Sequence, residues 1–225
     1  MQATNIQKIL KEQFPQLAEK ALQEEIIAVA QLHHFRAGDV IMNYGSYIRM
    51  VPLLVKGGIK VFREDEEMDK EILLYILNPG ETCSMSFTCC MTNKKSAIRT
   101  EAIEDTLLIG LPIKQVDSWM TKYQTWKNFV MRTYDTKMLD LVKFIDSIAF
   151  KGLDQRLELY LKAIVRATGS TTISITHQQI ADDLNVTREA VSRLLKKMMN
   201  LGKINMERNQ ITVLTDPRTE KREQR

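Results

Sequence analysis

Between Lys122 and Ala149 the chain runs for 28 residues without a glycine or a proline, and apolar side chains recur there at steps of three and four: Trp126, Val130, Tyr134, Met138, Leu141, Ile145 and Ile148. That period marks one face of an α-helix, and at 1.5 Å per residue such a helix is a rod about 40 Å long. One small β domain cannot cover an apolar stripe of that length, whereas a second copy of the same helix can. The sequence therefore predicts a dimerisation helix over residues 122–150 and a homodimer. The plainer alternative is that the stripe packs on the chain's own domain, but Phe129, Val142 and Phe144 already supply a second apolar flank for that purpose. Pro112 stands ahead of this stretch, suited to the first turn of a helix.

Upstream the pattern is different. Residues 1–34 read as helices broken at Pro15, with Leu17, Ala21, Ile26, Ile27 and Ala30 at helical spacing. From Phe35 onward short β-rich runs take over, VIMNY, MVPLLV, IKVF, EILLYIL, AIRTEAI and TLLIGL. They are separated by Gly38, Gly45, Gly57-Gly58, the acidic EDEEMD turn and Asn78-Pro79-Gly80. Strands this short, with turn signals at this spacing, predict an antiparallel β-roll over residues 35–111. With its flanking helices it forms a first domain, 1–121. Downstream of the long helix, Gly152 interrupts the chain, LDQRLELYLKAIVRAT forms a new helix ending at Gly169-Ser170, and a third domain runs over 151–215. The last residues, 216–225, are a polar tail that does not order itself. The fold class is α+β.

With 44% apolar and 27% charged residues, the composition is that of a soluble globular protein. No apolar run reaches the roughly 20 residues of a membrane span, and the N-terminus lacks the layout of a signal peptide. The expectation is a cytoplasmic protein with no membrane partner. Cys83, Cys89 and Cys90 are odd in number and too close together for a disulfide framework, so reduced thiols are expected. No glycine-rich phosphate loop, paired-histidine metal set or nucleophile with its base is legible, and neither an enzyme nor a bound cofactor is expected.

Charge is unevenly placed. Residues 151–225 carry 14 Lys and Arg against 9 Asp and Glu, a net +5, which leaves −1 for residues 1–150. From Thr187 to Lys203, Arg188, Arg193, Lys196, Lys197 and Lys203 face a single Glu189. A solvated helix face would show the same run, so charge alone decides nothing. Local grammar decides more. Thr176 with Gln179 three residues on makes a capping-box pattern, opening a helix with Ile180, Ala181 and Leu184 inward. Asn185-Val186 makes a turn. Thr187 then caps a second helix, whose inward side is Ala190, Val191, Leu194, Leu195 and Met198. Arg188, Glu189, Ser192 and Arg193 are left outward at its N-terminal end, followed by Lys196 and Lys197. His177 and Gln178 open the preceding helix. After Gly202, Ile204 and Met206, then Ile211 and Val213 around an ERNQ turn, predict a two-stranded wing. Such an arrangement is a winged helix-turn-helix for double-stranded DNA. Arg bonds guanine bidentately, Glu accepts from the cytosine amino group, and Lys meets phosphates. Each residue taken singly has a plainer role: Thr187 as a cap, Glu189 on the helix dipole, Arg193 as a solvated arginine.

The segment TREAVSRLLKKM resembles the recognition helix of the Crp/Fnr family of transcription regulators, and the β-roll, long helix and winged helix-turn-helix occur in that family's order. The resemblance spans nearly the whole chain. It implies a cyclic-nucleotide-binding-like roll (a double-stranded β-helix), a homodimer, RNA polymerase as a further partner, and TGA-containing half-sites read through Arg188, Glu189, Ser192 and Arg193. It also implies where an effector would sit. Where cyclic-nucleotide members carry Gly-Glu this chain has Ser84-Met85, and where they carry Arg-Ser it has Lys95-Ser96. Leu141 and Val142 replace the Thr-Ser pair of the long helix. Met85 cannot bond a ribose hydroxyl and Lys95 lacks the bidentate fork, so cyclic AMP is not the expected effector and the actual effector stays open. Gly80-Glu81 lies four residues early and reads as part of the turn. Iron-sulfur members use four cysteines, most of them near the N-terminus, and this chain has none before Cys83. Two alternatives remain: a redox or soft-metal sensor built on Cys83, Cys89 and Cys90, and a nucleotide sensor with an altered pocket. Against the first, Cys89 and Cys90 point to opposite faces if extended. His33 and His34, beside the first strand, and His177, solvated in a first helical turn, are not expected to be ligands.

Overall fold

A computed structural model describes residues 2–65, 70–92 and 94–214. The tip of the acidic turn, 66–69, and the tail, 216–225, lie outside the described residues. Helices α1 (Gln2–Gln13) and α2 (Lys20–Val29) flank the break at Pro15 and bury Leu10, Phe14, Leu17, Leu22 and Ile26. Two antiparallel sheets follow. One has the order β1 (Gln31–Phe35), β7 (Thr106–Pro112), β3 (Met50–Lys56). The other has the order β2 (Val40–Met42), β6 (Arg99–Ala102), β4 (Ile59–Asp65), β5 (Lys70–Leu77). Leu54, Ile59, Val61, Leu77, Ile98 and Leu108 form the core of the roll. Alternate residues of the first sheet, Val51, Leu53, Val55, Ile109 and Leu111, face the helices instead. Both faces of β3 are therefore covered, which is why MVPLLV is apolar almost without interruption.

Up to the end of the long helix, three elements differ from the sequence expectation. The N-terminal helical region ends at Val29, and His33 and His34 lie within β1, which pairs with β7 from Gln31↔Gly110 to Phe35↔Thr106. Helical spacing did not continue past Ala30, where the backbone turns extended. Residues 84–92 form a helix, α3 (Ser84–Thr92), so Cys89 and Cys90 follow one another around a helix and not across a strand. Burial of Phe87 against Trp126, ring centroids 5.9 Å apart, anchors that turn of chain. The long helix starts two residues later than expected, α4 (Ile113–Lys122) and α5 (Gln124–Phe150) meeting at an extended Tyr123. Pro112 ends β7 and is the N-cap of α4. At the joint, Trp119 Nε1, Lys122 and Tyr123 all donate to the Glu25 carboxylate of α2 and hold its pKa down at about 2, the Lys122 contact contributing most. The Glu19 carboxylate accepts the Thr125 N–H at 2.7 Å, which places a negative charge at the start of α5.

The stripe on α5 is divided in function. Trp126 and Val130 are fully buried in the chain's own core, with Phe129 beside them and Tyr134 packed against it. Beyond them Met138 is 65% exposed and Ile145 62%, and Met131, Leu139, Val142, Ile148 and Phe150 are also exposed. Val142 thus does not flank the roll as its spacing suggested. It is exposed, on a different side of α5 from the buried Lys137.

After α5, α6 (Leu153–Thr168) ends at a left-handed Gly169. β8 (Thr172–Ser174), α7 (His177–Leu184), α8 (Arg188–Asn200), β9 (Ile204–Glu207) and β10 (Gln210–Val213) follow. The wing is a three-stranded sheet in the order β8, β10, β9, not the two strands expected. β8 is only three residues long and forms because β10 offers it a second edge, with Ile173 opposite Ile211. Among the described residues no helix is long and apolar enough to cross a membrane.

Candidate nucleic-acid interface

The reading helix is positioned by local chemistry. Thr176 Oγ1 accepts from the Gln179 N–H at 3.2 Å, while Gln179 Oε1 accepts from the Thr176 N–H at 2.9 Å, closing the capping box of α7. Asn185 takes a left-handed conformation, φ 53°, and reverses the chain. Thr187 Oγ1 then accepts from the Ala190 N–H at 3.3 Å and opens α8. Val191, Leu195 and Met198 are buried in a core shared with Ile180, Ala181, Leu184, Leu161 and Ile164.

Burial of that face turns the other outward. Thr187, Arg188, Glu189, Arg193, Lys196 and Lys197 are exposed. Glu189, Arg193 and Lys196 fall four and then three residues apart on one stripe, with Arg188 and Lys197 on its flanks. Ser192 is half-buried, its Oγ 2.8 Å from His177 Nδ1. His177 is therefore packed against α8 and not solvated, and it joins the first turn of α7 to the reading helix. Gln178 is exposed, its amide donating to Asp182. Lys203 is tied to Glu158 at 2.6 Å, which lowers the Glu158 pKa and removes Lys203 from the basic face. A cleft of about 560 Å³ opens between the starts of α7 and α8 and the wing, lined by His177, Gln178, Arg188, Asn209 and Gln210 among others. Exposed Arg208 and Asn209 (φ 57°) form the wing tip. Sequence reading passed over these two wing residues, although the ERNQ turn between strands placed them.

The six effector positions differ in exposure. Ser84 and Met85 open α3, Ser84 buried and Met85 half-buried against the roll core. Lys95 is exposed, its ammonium 6.0 Å from the centre of the Tyr47 ring. Ser96 is buried and donates its hydroxyl to the Ile98 carbonyl at 2.8 Å. Leu141 is half-buried and Val142 exposed on α5. What does enter this side of the roll is Lys137, 3% exposed. Its ammonium lies 2.8 Å from Glu81 and 3.2 Å from Asp140, and stands 5.1 Å from the centre of the Tyr75 ring. Glu81, the turn residue, also accepts the Asn78 N–H. A cavity of about 250 Å³ between α5 and that turn is lined by Glu81, Thr82, Thr133 and Lys137 among others, and by none of the six. Nothing in the spacing of Lys137 distinguished it from a solvated lysine.

Cys83 and Cys89 are buried and free. Burial pushes the Cys89 thiol pKa up, which disfavours the thiolate that metal binding and exchange require. The Cys90 side chain lies outside the described set. Among the described residues no three His, Cys, Asp or Glu are grouped to hold a metal.

Residues 155–218 match the family described as Crp-like helix-turn-helix domain. Over 81% of its length the chain is 25% identical to the global nitrogen regulator of Synechococcus elongatus, 85% of which is covered. Over 78% of its length it is 22% identical to the regulatory protein HlyX of Actinobacillus pleuropneumoniae, 74% of which is covered. A solved structure from Eubacterium rectale, assigned to the Crp/Fnr family of transcriptional regulators, superposes with a TM-score of 0.73 at 26% identity, covering 90% of this chain and 94% of that one. A Crp/Fnr-family regulator from Thermus thermophilus has the same fold, with a TM-score of 0.68 at 19% identity over 85% of this chain and 96% of that one. Residues 155–218 are thus a Crp-like helix-turn-helix domain, and over most of its length the chain is similar to transcription regulators of the Crp/Fnr family.

Proposed function

We propose that the chain acts as a cytoplasmic homodimer that binds a pseudo-palindromic DNA site with TGA-containing half-sites. In this reading residues 1–121 form the sensor domain, 122–150 the dimerisation helix and 151–215 the reading domain. The observation that carries it is the division of α8: its apolar face is consumed by the domain core, and Arg188, Glu189, Arg193 and Lys196 remain exposed along one side. The TGA preference rests on the family resemblance of those residues, and so does RNA polymerase as the onward partner. Two-fold symmetry places the half-sites about one helical turn apart. Selection from random DNA is expected to return a palindrome of that spacing, with affinity falling steeply as salt rises, in proportion to the phosphates neutralised. Enrichment of no palindrome would defeat the proposal.

The effector site, in the same proposal, takes no cyclic nucleotide. A buried cyclic phosphate and ribose hydroxyl need partners, and each one lacking costs about 1 to 3 kcal/mol. Lys95 lies on the surface, and the buried cation, Lys137, is already compensated by Glu81 and Asp140. Calorimetry with cyclic AMP or cyclic GMP at micromolar concentration is expected to show no binding, and neither compound is expected to change DNA affinity. A micromolar Kd abolished by Lys95→Ala would restore the nucleotide-sensor alternative.

A further inference from the structure

The reading domain is docked on the outer face of the four-stranded sheet, and a buried charge sits in the contact. Leu73 and Ile76 of β5 and Ile103 after β6 pack into the core of the helical domain. Gly58, at the end of the β3–β4 connection, permits the approach: a Cβ there would lie 2.8 Å from the Ala167 Cβ of α6 and 3.0 Å from Ile103 Cδ1. Within this apolar contact the Lys60 ammonium of β4 pairs with the Asp183 carboxylate of α7, the two side chains being 9% and 7% exposed. The Tyr160 hydroxyl of α6, itself buried, donates to the same carboxylate oxygen. Glu101, which lies opposite Lys60 in the β4–β6 register, is engaged by Arg99 at 2.8 Å.

An ion pair this buried contributes little net stability, because desolvation offsets the attraction. Separating the partners is costly, since each is then left as an unpaired buried charge. Such a pair therefore selects one geometry over its neighbours more than it strengthens the contact. Its position makes that geometry matter. Asp183 lies two residues before Asn185, the turn that sets α8, and the carbonyl of Leu184 accepts from Arg156 of α6 at 2.9 Å, so α6, the end of α7 and the turn are tied together. A rotation of the reading domain about the Lys151-Gly152 connection would break the Lys60–Asp183 pair before it disturbed any contact within either domain.

We propose that Lys60 is a positioning residue for DNA recognition: by pairing with Asp183 beneath Tyr160 it fixes the angle at which each reading helix is presented, and so the half-site spacing that a dimer accepts. This rests on the dimeric palindrome reading above, and two measurements on the full-length protein separate them. In the first, affinity is measured for palindromes whose spacing is changed by one or two base pairs, and for a single half-site. Lys60→Met is expected to lose on the order of tenfold at the best spacing, a usual size for coupling between separate sites. It is also expected to flatten the dependence on spacing while leaving half-site affinity unchanged. Asp183→Asn, which keeps the size of the side chain and an acceptor for Tyr160, is expected to do the same, and Lys60→Arg to restore wild-type behaviour. In the second, donor and acceptor dyes at exposed Ala37 and Asn200 report the distance between roll and reading domain without DNA. That distance is expected to be narrowly distributed in the wild type and broad in Lys60→Met. A Lys60→Met protein with wild-type spacing preference, or with an unchanged distance distribution, would overturn the proposal. Wild-type protein with no preference for a palindrome over a half-site would instead defeat the dimeric reading, and the distance distribution would still decide whether Lys60 orients the domain.

Discussion

Replacing Met138 and Ile145 together by glutamate is expected to yield a protein that sediments as a monomer and loses about two to four powers of ten in affinity for the full palindromic site. The first part follows from where the apolar stripe of α5 changes partners. Trp126 and Val130 are consumed by the chain's own core, so substituting them would unfold the roll and say nothing about assembly. Met131, Met138 and Ile145 recur at intervals of seven, Val142 lies between the last two, and all four are exposed. That is the spacing a two-stranded coiled-coil seam requires, and the proposed dimer places it between two copies of α5. Two glutamates per helix place four charges in the seam, each without a partner. The second part follows from connectivity. Joined heads meet the second half-site at an effective concentration in the millimolar range, and separated heads lose that advantage. Because both positions are exposed in the single chain, thermal stability of the monomer and its half-site binding are expected to survive. Sedimentation velocity and anisotropy on full and half sites check each part, and an unchanged dimer would place the interface elsewhere.

Arg193→Ala carries the next largest effect. The side chain is exposed on the outward stripe of α8, and among the described residues it has no ion pair, so its removal costs the fold little. A bidentate arginine–guanine contact discriminates by roughly 1 to 3 kcal/mol, and a dimer makes it twice, so the palindrome is expected to lose about 2 to 6 kcal/mol. That is roughly 30-fold to more than 10⁴-fold in Kd. The loss is expected to vanish on a site whose contacted guanine has been replaced. Lys196→Ala is the control, since it should weaken all sequences alike and flatten the salt dependence by about one counterion per contact. Equal losses from both variants on both sites would mean that Arg193 meets phosphate and not a base.

The parts of this protein that could be read in advance are those whose signals are local. The capping box of Thr176 and Gln179, the Thr187 cap, and the outward setting of Arg188, Glu189 and Arg193 depend on neighbours within four residues, and the structure has them as the pattern implied. The strands of the roll from Val40 to Pro112 were legible for the same reason, since alternation and turn residues are written along one stretch of chain. Elements that exist only because something distant stabilises them were missed. β1 needs β7, β8 needs β10, and α3 needs Trp126 and Tyr134 to receive Phe87.

One signal was present and passed over. EILLYIL is apolar on both faces, which a strand with one solvated side would not be. Its second face is the seat of the reading domain, through Leu73 and Ile76.

The sequence by itself determined the periods: where helices and strands run, where they begin, and which residues share a face. It did so because capping, turn geometry and side-chain alternation are properties of adjacent residues. Only the tertiary structure decided what each face meets. Trp126 and Met138 are linked by steps of four residues, yet one is in the core and the other in solvent, because each such step turns the stripe further around the helix and Lys137 takes the place that faces the roll. Lys95 and Lys137 are both lysines near the roll, yet Lys95 lies on the surface and Lys137 is buried between two carboxylates. Lys60 reads as one more outward residue of a strand until the fold brings Asp183, 123 positions later, against it. Contacts of that kind depend on how whole elements pack, and no local spacing encodes them.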